Sequence, residues 1–116
     1  MKKIIILIPV FNDWESLKKL ILEINENISN FQETHFECLV VNDASTIDQP
    51  ELTRPSNIKS LEILKMKENK GHARCNAFGI RHVFQKKDFD YLILMDGDGE
   101  DRPIEIKSLV EAINKK

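Results

Sequence analysis

Four acidic side chains fall within six positions near the carboxyl end of the chain: Asp96, Asp98, Glu100 and Asp101. Carboxylates this close repel one another unless a cation or a basic ligand lies between them. Mg²⁺ is commonly held by one or two carboxylates together with substrate phosphates. Gly97 and Gly99 would let backbone and ligand approach closely. The cluster therefore predicts a divalent-cation site, and the alternative is a solvated acidic turn before a helix.

The cluster must be positioned by the apolar run that precedes it, Tyr91–Met95, which is typical of a buried parallel strand. The other predicted strands are Lys3–Pro9, Phe36–Val41 and Ile58–Lys65. The predicted helices span residues 13–29, a segment beginning at Gly71, and 103–114. The connection 47–57 contains two prolines and is expected to be irregular with a short helical turn. This alternation predicts a three-layer α/β fold with a mostly parallel, Rossmann-like sheet of strand order 3-2-1-4.

Two details of the helices are also predicted. Asn12 and Glu15 have the spacing of a capping box, which would make Asn12 the N-cap of the first helix. The second helix is expected to pack on the sheet through an apolar face formed by Ala73, Ala77, Ile80 and Phe84.

Polar loops follow all four predicted strands: Phe11–Asp13, Asn42–Thr46, Met66–Gly71 and Asp96–Asp101. In a parallel sheet these loops open on the same edge, where α/β proteins bind their ligands. Asp43 would either cap its own turn or accept a hydrogen bond from a base or a ribose. Arg74 would either be a surface residue or face a phosphate at the start of a helix. Their convergence favours a ligand site.

Bulk properties limit the class of protein. A length of 116 residues is enough for one domain with one core, and a net charge of −2 gives no argument for nucleic-acid binding. Cys38 and Cys75 show no metal-ligand spacing and are predicted to be free thiols. Met1–Phe11 is expected to be a strand rather than a signal peptide. No apolar run is long enough to span a membrane.

Several nucleotide and metal motifs do not fit. The chain contains neither a P-loop nor a GxGxxG segment after its first strand. An EF-hand loop begun at Asp96 would place Lys107 where the bidentate glutamate belongs. The three histidines show no ligand spacing and are expected on surfaces or helix faces.

Four motifs occur in order: Ile8–Asp13, Val40–Ser45, Asn69–Arg74 and Leu94–Asp98. Together they resemble the inverting family 2 glycosyltransferases of GT-A fold. The helix start after Pro103 also resembles the subgroup that uses polyprenyl-phosphate acceptors, such as dolichyl-phosphate mannose synthase. The resemblance covers essentially residues 1–116, as a single domain that corresponds to the nucleotide-sugar-binding half of the family. It implies that the acceptor half and the general base lie outside this chain.

The resemblance also implies roles for individual residues. Asp96-Gly97-Asp98 is similar to the family's DXD motif, in which Asp98 would bind Mg²⁺ or Mn²⁺. Asp96 would contact the ribose side, or the metal through water, and Glu100 would help to hold the metal. Further nucleotide-sugar contacts are implied for Pro9, Phe11, Asp13, Asp43 and Arg74. Asn42 stands in place of a frequent Asp and Ala44 in place of a frequent Gly, which leaves the choice of base open, and Asp13 stands where the family usually has Glu.

The function expected from the resemblance is transfer of a sugar from a UDP- or GDP-sugar to a polyprenyl phosphate or a glycan, in cell-envelope polysaccharide synthesis. The protein would be cytoplasmic, with peripheral association at the cytoplasmic face of the membrane. One alternative is a catalytically inactive nucleotide-sugar-binding or assembly module. Another is a receiver-like or phosphatase-like domain, which would need an aspartate nucleophile after the first strand, and Asp13 offers a poor one.

Overall fold

The computed structural model describes residues 2–96 and 104–115. Within these residues, four strands form one sheet and three helices flank it. The elements are β1 (Lys2–Val10), α1 (Trp14–Asn27), β2 (Thr34–Asn42), β3 (Ser60–Lys65), α2 (His72–Lys86), β4 (Tyr91–Leu94) and α3 (Ile104–Asn114). All strand pairs are parallel and the strand order is β3-β2-β1-β4. Both the α/β class and the order 3-2-1-4 are confirmed.

Strand β1 lies at the centre of the sheet, and the five residues Ile4–Ile8 are all fully buried. Ile4, Ile6 and Ile8 face the layer formed by α1 and α3, whereas Ile5 and Leu7 face α2. Because helices cover both faces of a parallel sheet, both sets of alternating side chains must be apolar. This explains why β1 has a continuous apolar run.

The prediction of the packing face of α2 was wrong. The helix buries a different set of residues: Cys75, Gly79 and Val83. Of the predicted face, Ala73 and Ala77 are exposed and Phe84 is 69% exposed. Only Ile80 packs, partly buried, against the core on this side of the sheet.

Gly79 explains why α2 packs on the sheet through a different face from the predicted one. A Cβ atom built on Gly79 would lie 2.5 Å from Leu7 Cδ1 and 3.1 Å from Val41 Cγ2. The helix therefore approaches the sheet more closely than a larger residue would permit. Gly79, the smallest residue of α2, therefore determines which face of the helix contacts the sheet, and the large Phe84 side chain remains exposed to solvent.

An ion-pair network lies near the carboxyl end of α2, away from the carboxyl ends of the strands. Glu37, whose side chain is 9% exposed, lies 3.0 Å from both Lys3 Nζ and His35 Nε2 and 3.4 Å from Lys87 Nζ. Lys87 also pairs with Glu62 at 3.0 Å. The network ties β1, β2 and β3 to the end of α2.

Other local predictions met different outcomes. The connection 47–57 is irregular as expected and has a single hydrogen-bonded turn rather than a helix, in which the N–H of Ile58 donates to Pro55 O at 3.3 Å. Strand β3 begins at Ser60 rather than Ile58. Cys38 and Cys75 are both buried free thiols, as predicted. Of the helices found in residues 2–96 and 104–115, none combines the length and apolarity that crossing a bilayer requires.

Candidate functional site

The carboxyl ends of the strands meet at one edge of the sheet, as the parallel topology requires. Val10, Asn42 and Lys65, the last residues of β1, β2 and β3, are direct partners across the sheet. Three loops therefore start side by side. After β4, the N–H of Met95 still donates to Leu7 O at 2.9 Å, which brings Asp96 to the same edge.

The first loop departs from the predicted cap. Asp13, not Asn12, is the N-cap of α1, and its Oδ1 accepts the N–H of Ser16 at 3.3 Å. Asn12 has φ 63°, a left-handed conformation that asparagine tolerates better than most residues. The capping-box prediction was therefore wrong by one position, and the Asn12 side chain is directed elsewhere.

Asn12 binds the segment that follows β2. Its Oδ1 accepts the N–H groups of Thr46 at 2.7 Å and Ile47 at 2.9 Å, and its Nδ2 donates to Thr46 Oγ1 at 3.0 Å. Its backbone N–H donates to Ser45 Oγ at 2.9 Å. The Ser45 hydroxyl in turn donates to Asn42 Oδ1 at 2.6 Å. These bonds join the first two loops.

Asp43 joins the second loop to the third. It is 1% exposed, its Oδ1 accepts the N–H of Lys70 at 2.7 Å, and its Oδ2 accepts the N–H of Gly71 at 2.9 Å. Gly71 has φ 85°, which favours glycine, and α2 starts at the next residue. These two backbone bonds use one lone pair on each carboxylate oxygen, and the Cys75 thiol is also hydrogen-bonded to this carboxylate. The contact between Asp43 and a nucleobase stays a prediction.

Cys75 supports Asp43 from the first turn of α2. Burial raises the pKa of the Cys75 thiol to about 12, and a hydrogen bond to Asp43 and the charge of Asp43 act in the same direction. The thiol is therefore protonated at neutral pH. Because a nucleophilic cysteine needs its thiolate form, Cys75 has a supporting role at this site.

Asp96 faces the start of α2. Its Oδ1 lies 3.5 Å from His72 Nδ1, and the two side chains are 43% and 39% exposed. Asp96 thus lies close to the same loop that Asp43 holds. Gly97, Asp98 and Glu100 lie outside the described residues, so their predicted roles stay predictions. In the described ranges alone, no group of three His, Cys, Asp or Glu side chains could hold a metal ion.

Two neighbouring hollows open at the second and third loops and share Lys65, Met66 and Lys67. One of about 480 Å³ is lined by Ala44, Ser45, Lys65, Met66 and Lys67. The other, of about 460 Å³, is lined by Lys65, Met66, Lys67, Glu68, Lys70 and Phe78. Both volumes are in the range of small-molecule sites, and the excess of lysine favours an anionic ligand.

Comparison with known proteins agrees with this geometry. The sequence profile of Glycosyl transferase family 2 matches residues 5–116. The chain belongs to glycosyl transferase family 2. The parallel sheet with helices on both faces is consistent with the α/β GT-A-like fold expected of a family 2 protein.

One curated relative extends the comparison. The chain is 27% identical over 111 residues to the undecaprenyl-phosphate 4-deoxy-4-formamido-L-arabinose transferase of Proteus mirabilis (strain HI4320). The match covers 95% of this chain and 33% of the relative. This family 2 chain therefore spans about a third of the relative's length.

The predicted donor contacts of the family 2 chain differ in accessibility. Phe11 is 38% exposed, and Asp13 and Arg74 are also exposed, so all three are accessible to a ligand. Pro9 lies within β1 and is buried, where it pairs with Val41. Pro9 would therefore support the first loop from within the sheet rather than offer the donor a large contact surface.

Sequence reasoning missed the residues that tie the loops together. The backbone N–H of Asn12 donates to the Ser45 hydroxyl across 33 positions of the chain, and the backbone N–H of Lys70 donates to Asp43 across 27. One local signal was available for Asn12, because asparagine is enriched in left-handed backbone. For Ser45, no short-range pattern specifies a partner so distant in sequence.

Proposed function

We propose that this chain is the donor-binding portion of a metal-dependent glycosyltransferase that transfers a sugar from a nucleoside-diphosphate sugar to an acceptor. The observation that carries the proposal is the joining of three strand-end loops through Asn12, Ser45 and Asp43, beside two lysine-lined hollows. Membership of glycosyl transferase family 2 gives the reaction class.

The nucleoside would bind over the first and second loops. The exposed ring of Phe11 offers a flat apolar surface for a base. Asp43 is 1% exposed, so a hydrogen bond from the base to its carboxylate would require the Lys70–Gly71 turn that covers it to shift. Asp13 would contact the ribose. UDP and GDP are both compatible with these roles.

The diphosphate would bind between α2 and the end of β4. Arg74 is exposed in the first turn of α2, and a guanidinium binds phosphate oxygens in a bidentate manner. Asp96, Asp98 and Glu100 offer the carboxylate oxygens that Mg²⁺ and Mn²⁺ prefer, and Gly97 would allow close approach. A bound cation would neutralise the charge that develops on the leaving diphosphate.

The acceptor is proposed to be a polyprenyl phosphate or a glycan, reached at the cytoplasmic face of the membrane. The name of the Proteus mirabilis relative supports the lipid phosphate. Direct displacement with inversion follows from the family resemblance. No residue of this chain is assigned as the general base.

A thermal-shift panel tests the donor site. UDP- and GDP-sugars are assayed with Mg²⁺, with Mn²⁺ and with chelator. A ligand at a hundredfold excess over its Kd stabilises by about 2.7 kcal/mol, which predicts a rise in Tm of about 10 °C for a chain of this size. The rise should require metal and should disappear in Asp98→Ala.

Asp88→Ala is the matched control, because Asp88 is an exposed carboxylate before β4 and thus at the opposite end of that strand. A shift that persists in Asp98→Ala would count against the metal assignment. Sugar transfer by this chain, alone or with a partner that supplies the acceptor half, would support a transferase. Binding without transfer in both cases would favour the inactive nucleotide-sugar-binding module.

A further inference from the structure

Asn12 is held in its unusual backbone conformation by hydrogen bonds from both its side chain and its backbone. Its Oδ1 accepts two N–H groups, from Thr46 and Ile47, which use both lone pairs of a carbonyl oxygen. Its Nδ2 and its backbone N–H donate to the hydroxyls of Thr46 and Ser45. A left-handed non-glycine residue persists where its surroundings fix it in this way.

These bonds set the spacing between two parts of the proposed donor site. Asn12 is flanked by Phe11 and Asp13, whereas its bonded segment begins two residues after Asp43. The first loop therefore cannot move away from the second without breaking the bonds of Asn12. The distance from the Phe11 ring to the Asp43 carboxylate depends on them.

We propose that Asn12 is a positioning residue of the donor site, which fastens the loop carrying Phe11 and Asp13 to the segment that follows Asp43. This inference rests on the proposed function. Asn12 itself contacts no part of the donor. Its contribution is preorganisation, since a site held in its binding geometry loses less entropy when the ligand binds.

Asn25 provides a matched comparison at the other end of the same β2–β3 connection. Its Oδ1 accepts the N–H of Asn57 at 2.8 Å, and its backbone carbonyl accepts from Asn57 Nδ2 at 2.9 Å. Asn25 thus ties the connection to α1 in the way that Asn12 ties it to the first loop. Asn25 lies near the end of α1, remote from the strand-end loops.

Three variants separate positioning from general stability. Asn12→Gly keeps the left-handed backbone and removes the side-chain bonds. Asn12→Asp keeps the acceptor for Thr46 and Ile47, and the Thr46 hydroxyl can turn to donate to it. Asn25→Ala removes the side-chain bond at the far end of the connection and suits a helix.

The affinity of each variant for UDP and for GDP with Mg²⁺ is measured by calorimetry, well below the lowest melting temperature. Asn12→Gly should weaken the binding of whichever nucleotide the wild-type chain binds by about tenfold, because the loosened first loop must be ordered again when the ligand binds. Asn12→Asp should restore affinity to within about threefold, and Asn25→Ala should leave it within about twofold of wild type.

Hydrogen exchange tests, in the absence of ligand, whether Asn12 holds the segment that follows Asp43. Asn12→Gly should speed exchange at the amides of Thr46 and Ile47, whereas Asn25→Ala should speed it at Asn57. Trp14 is the only tryptophan, and its Nε1 donates to Ile47 O at 3.2 Å. Its emission should therefore shift to the red in Asn12→Gly alone.

The outcomes are distinct. The role of Asn12 would be overturned if Asn12→Gly bound nucleotide with wild-type affinity, or if Asn25→Ala lost as much affinity as Asn12→Gly. It would also be overturned if hydrogen exchange at Thr46 and Ile47 were unchanged in Asn12→Gly. If the wild-type chain binds neither nucleotide with metal present, the proposed function fails and the donor-site role of Asn12 fails with it. Binding that Asn12→Gly retains would overturn only the role of Asn12.

Discussion

The carboxylate of Asp43 accepts the backbone N–H of Gly71 at 2.9 Å, across 28 positions of the chain. Its second oxygen accepts the N–H of Lys70. Because Asp43 is 1% exposed, water cannot replace these bonds without rearrangement of the loop. The end of β2 and the start of α2 are therefore held together by these bonds, and the conformation of one depends on the other.

Asp43→Asn should lower the free energy of unfolding by about 1–3 kcal/mol, because the amide nitrogen would face a backbone N–H that is left without an acceptor in a buried site. Urea unfolding at neutral pH measures this. The control is Asp13→Asn, the same chemical change at an exposed N-cap. Asparagine caps helices about as well as aspartate, so this variant should stay within about 0.5 kcal/mol of wild type.

Equal stability of Asp43→Asn and wild type would show that the Lys70–Gly71 turn holds its conformation without the carboxylate. In that case the sheet edge would be fixed by the bonds of Asn12, by the packing of α2 and by backbone bonds such as that from the N–H of Asp43 to Val10 O.

Gly79→Ala should lower the free energy of unfolding by about 1–3 kcal/mol. An added Cβ would lie 2.5 Å from Leu7 Cδ1, and this crowding should outweigh the gain of about 1 kcal/mol in helix propensity. In a Leu7→Val background the two crowding carbons are absent, so the added methyl should cost much less. Thermal unfolding of the double-mutant cycle measures the coupling, and additive effects would contradict the predicted contact.

The strands could be predicted from sequence because their burial is local information. A continuous apolar run such as that of β1 is typical of a strand covered on both faces, and the alternation of elements limited the strand order. The face of α2 could not be predicted, because packing depends on the fit of Gly79 against Leu7 from another strand. Hydrophobicity alone favoured Phe84, which remains exposed.

For the candidate site, too, some features could be predicted from the sequence and others could not. That Asp43 and Asp96 lie at one edge followed from the parallel topology. The side-chain bonds of Asn12 did not, because a local capping rule assigned that residue to α1. Their formation depends on the path of a connection more than 30 positions away.

Glu37 should give the protein a measurable sensitivity to acid. Burial by itself raises the pKa of Glu37, but hydrogen bonds from Lys3 and His35 and the charges of Lys3 and Lys87 outweigh it, so the pKa lies below its ordinary value of 4.5. The folded chain therefore binds this proton less tightly than the unfolded chain. The stability that results is present above about pH 4.5 and is lost as the pH falls through the lower folded pKa.

Glu37→Gln should cost about 1–3 kcal/mol of unfolding free energy near pH 7, and the difference from wild type should narrow below about pH 4. Urea unfolding at a series of pH values measures both the loss of unfolding free energy near pH 7 and its decrease at low pH. Glu26→Gln, at an exposed position of α1, is the control and should follow the wild-type profile. A difference that stays constant with pH would mean that packing, not charge, accounts for the contribution of Glu37.

Phe11→Ala should weaken nucleotide binding by about tenfold to a hundredfold, because the stacking of a base on an aromatic ring contributes about 1–3 kcal/mol. Calorimetric titration with UDP and GDP in the presence of Mg²⁺ measures the loss. Phe84→Ala is the matched control, since Phe84 is also exposed but lies near the far end of α2, where its ring meets Phe89 edge-on. If both variants bind nucleotide like the wild type, the base does not stack on Phe11. That result would leave the ring of Phe11 without a role in nucleotide binding.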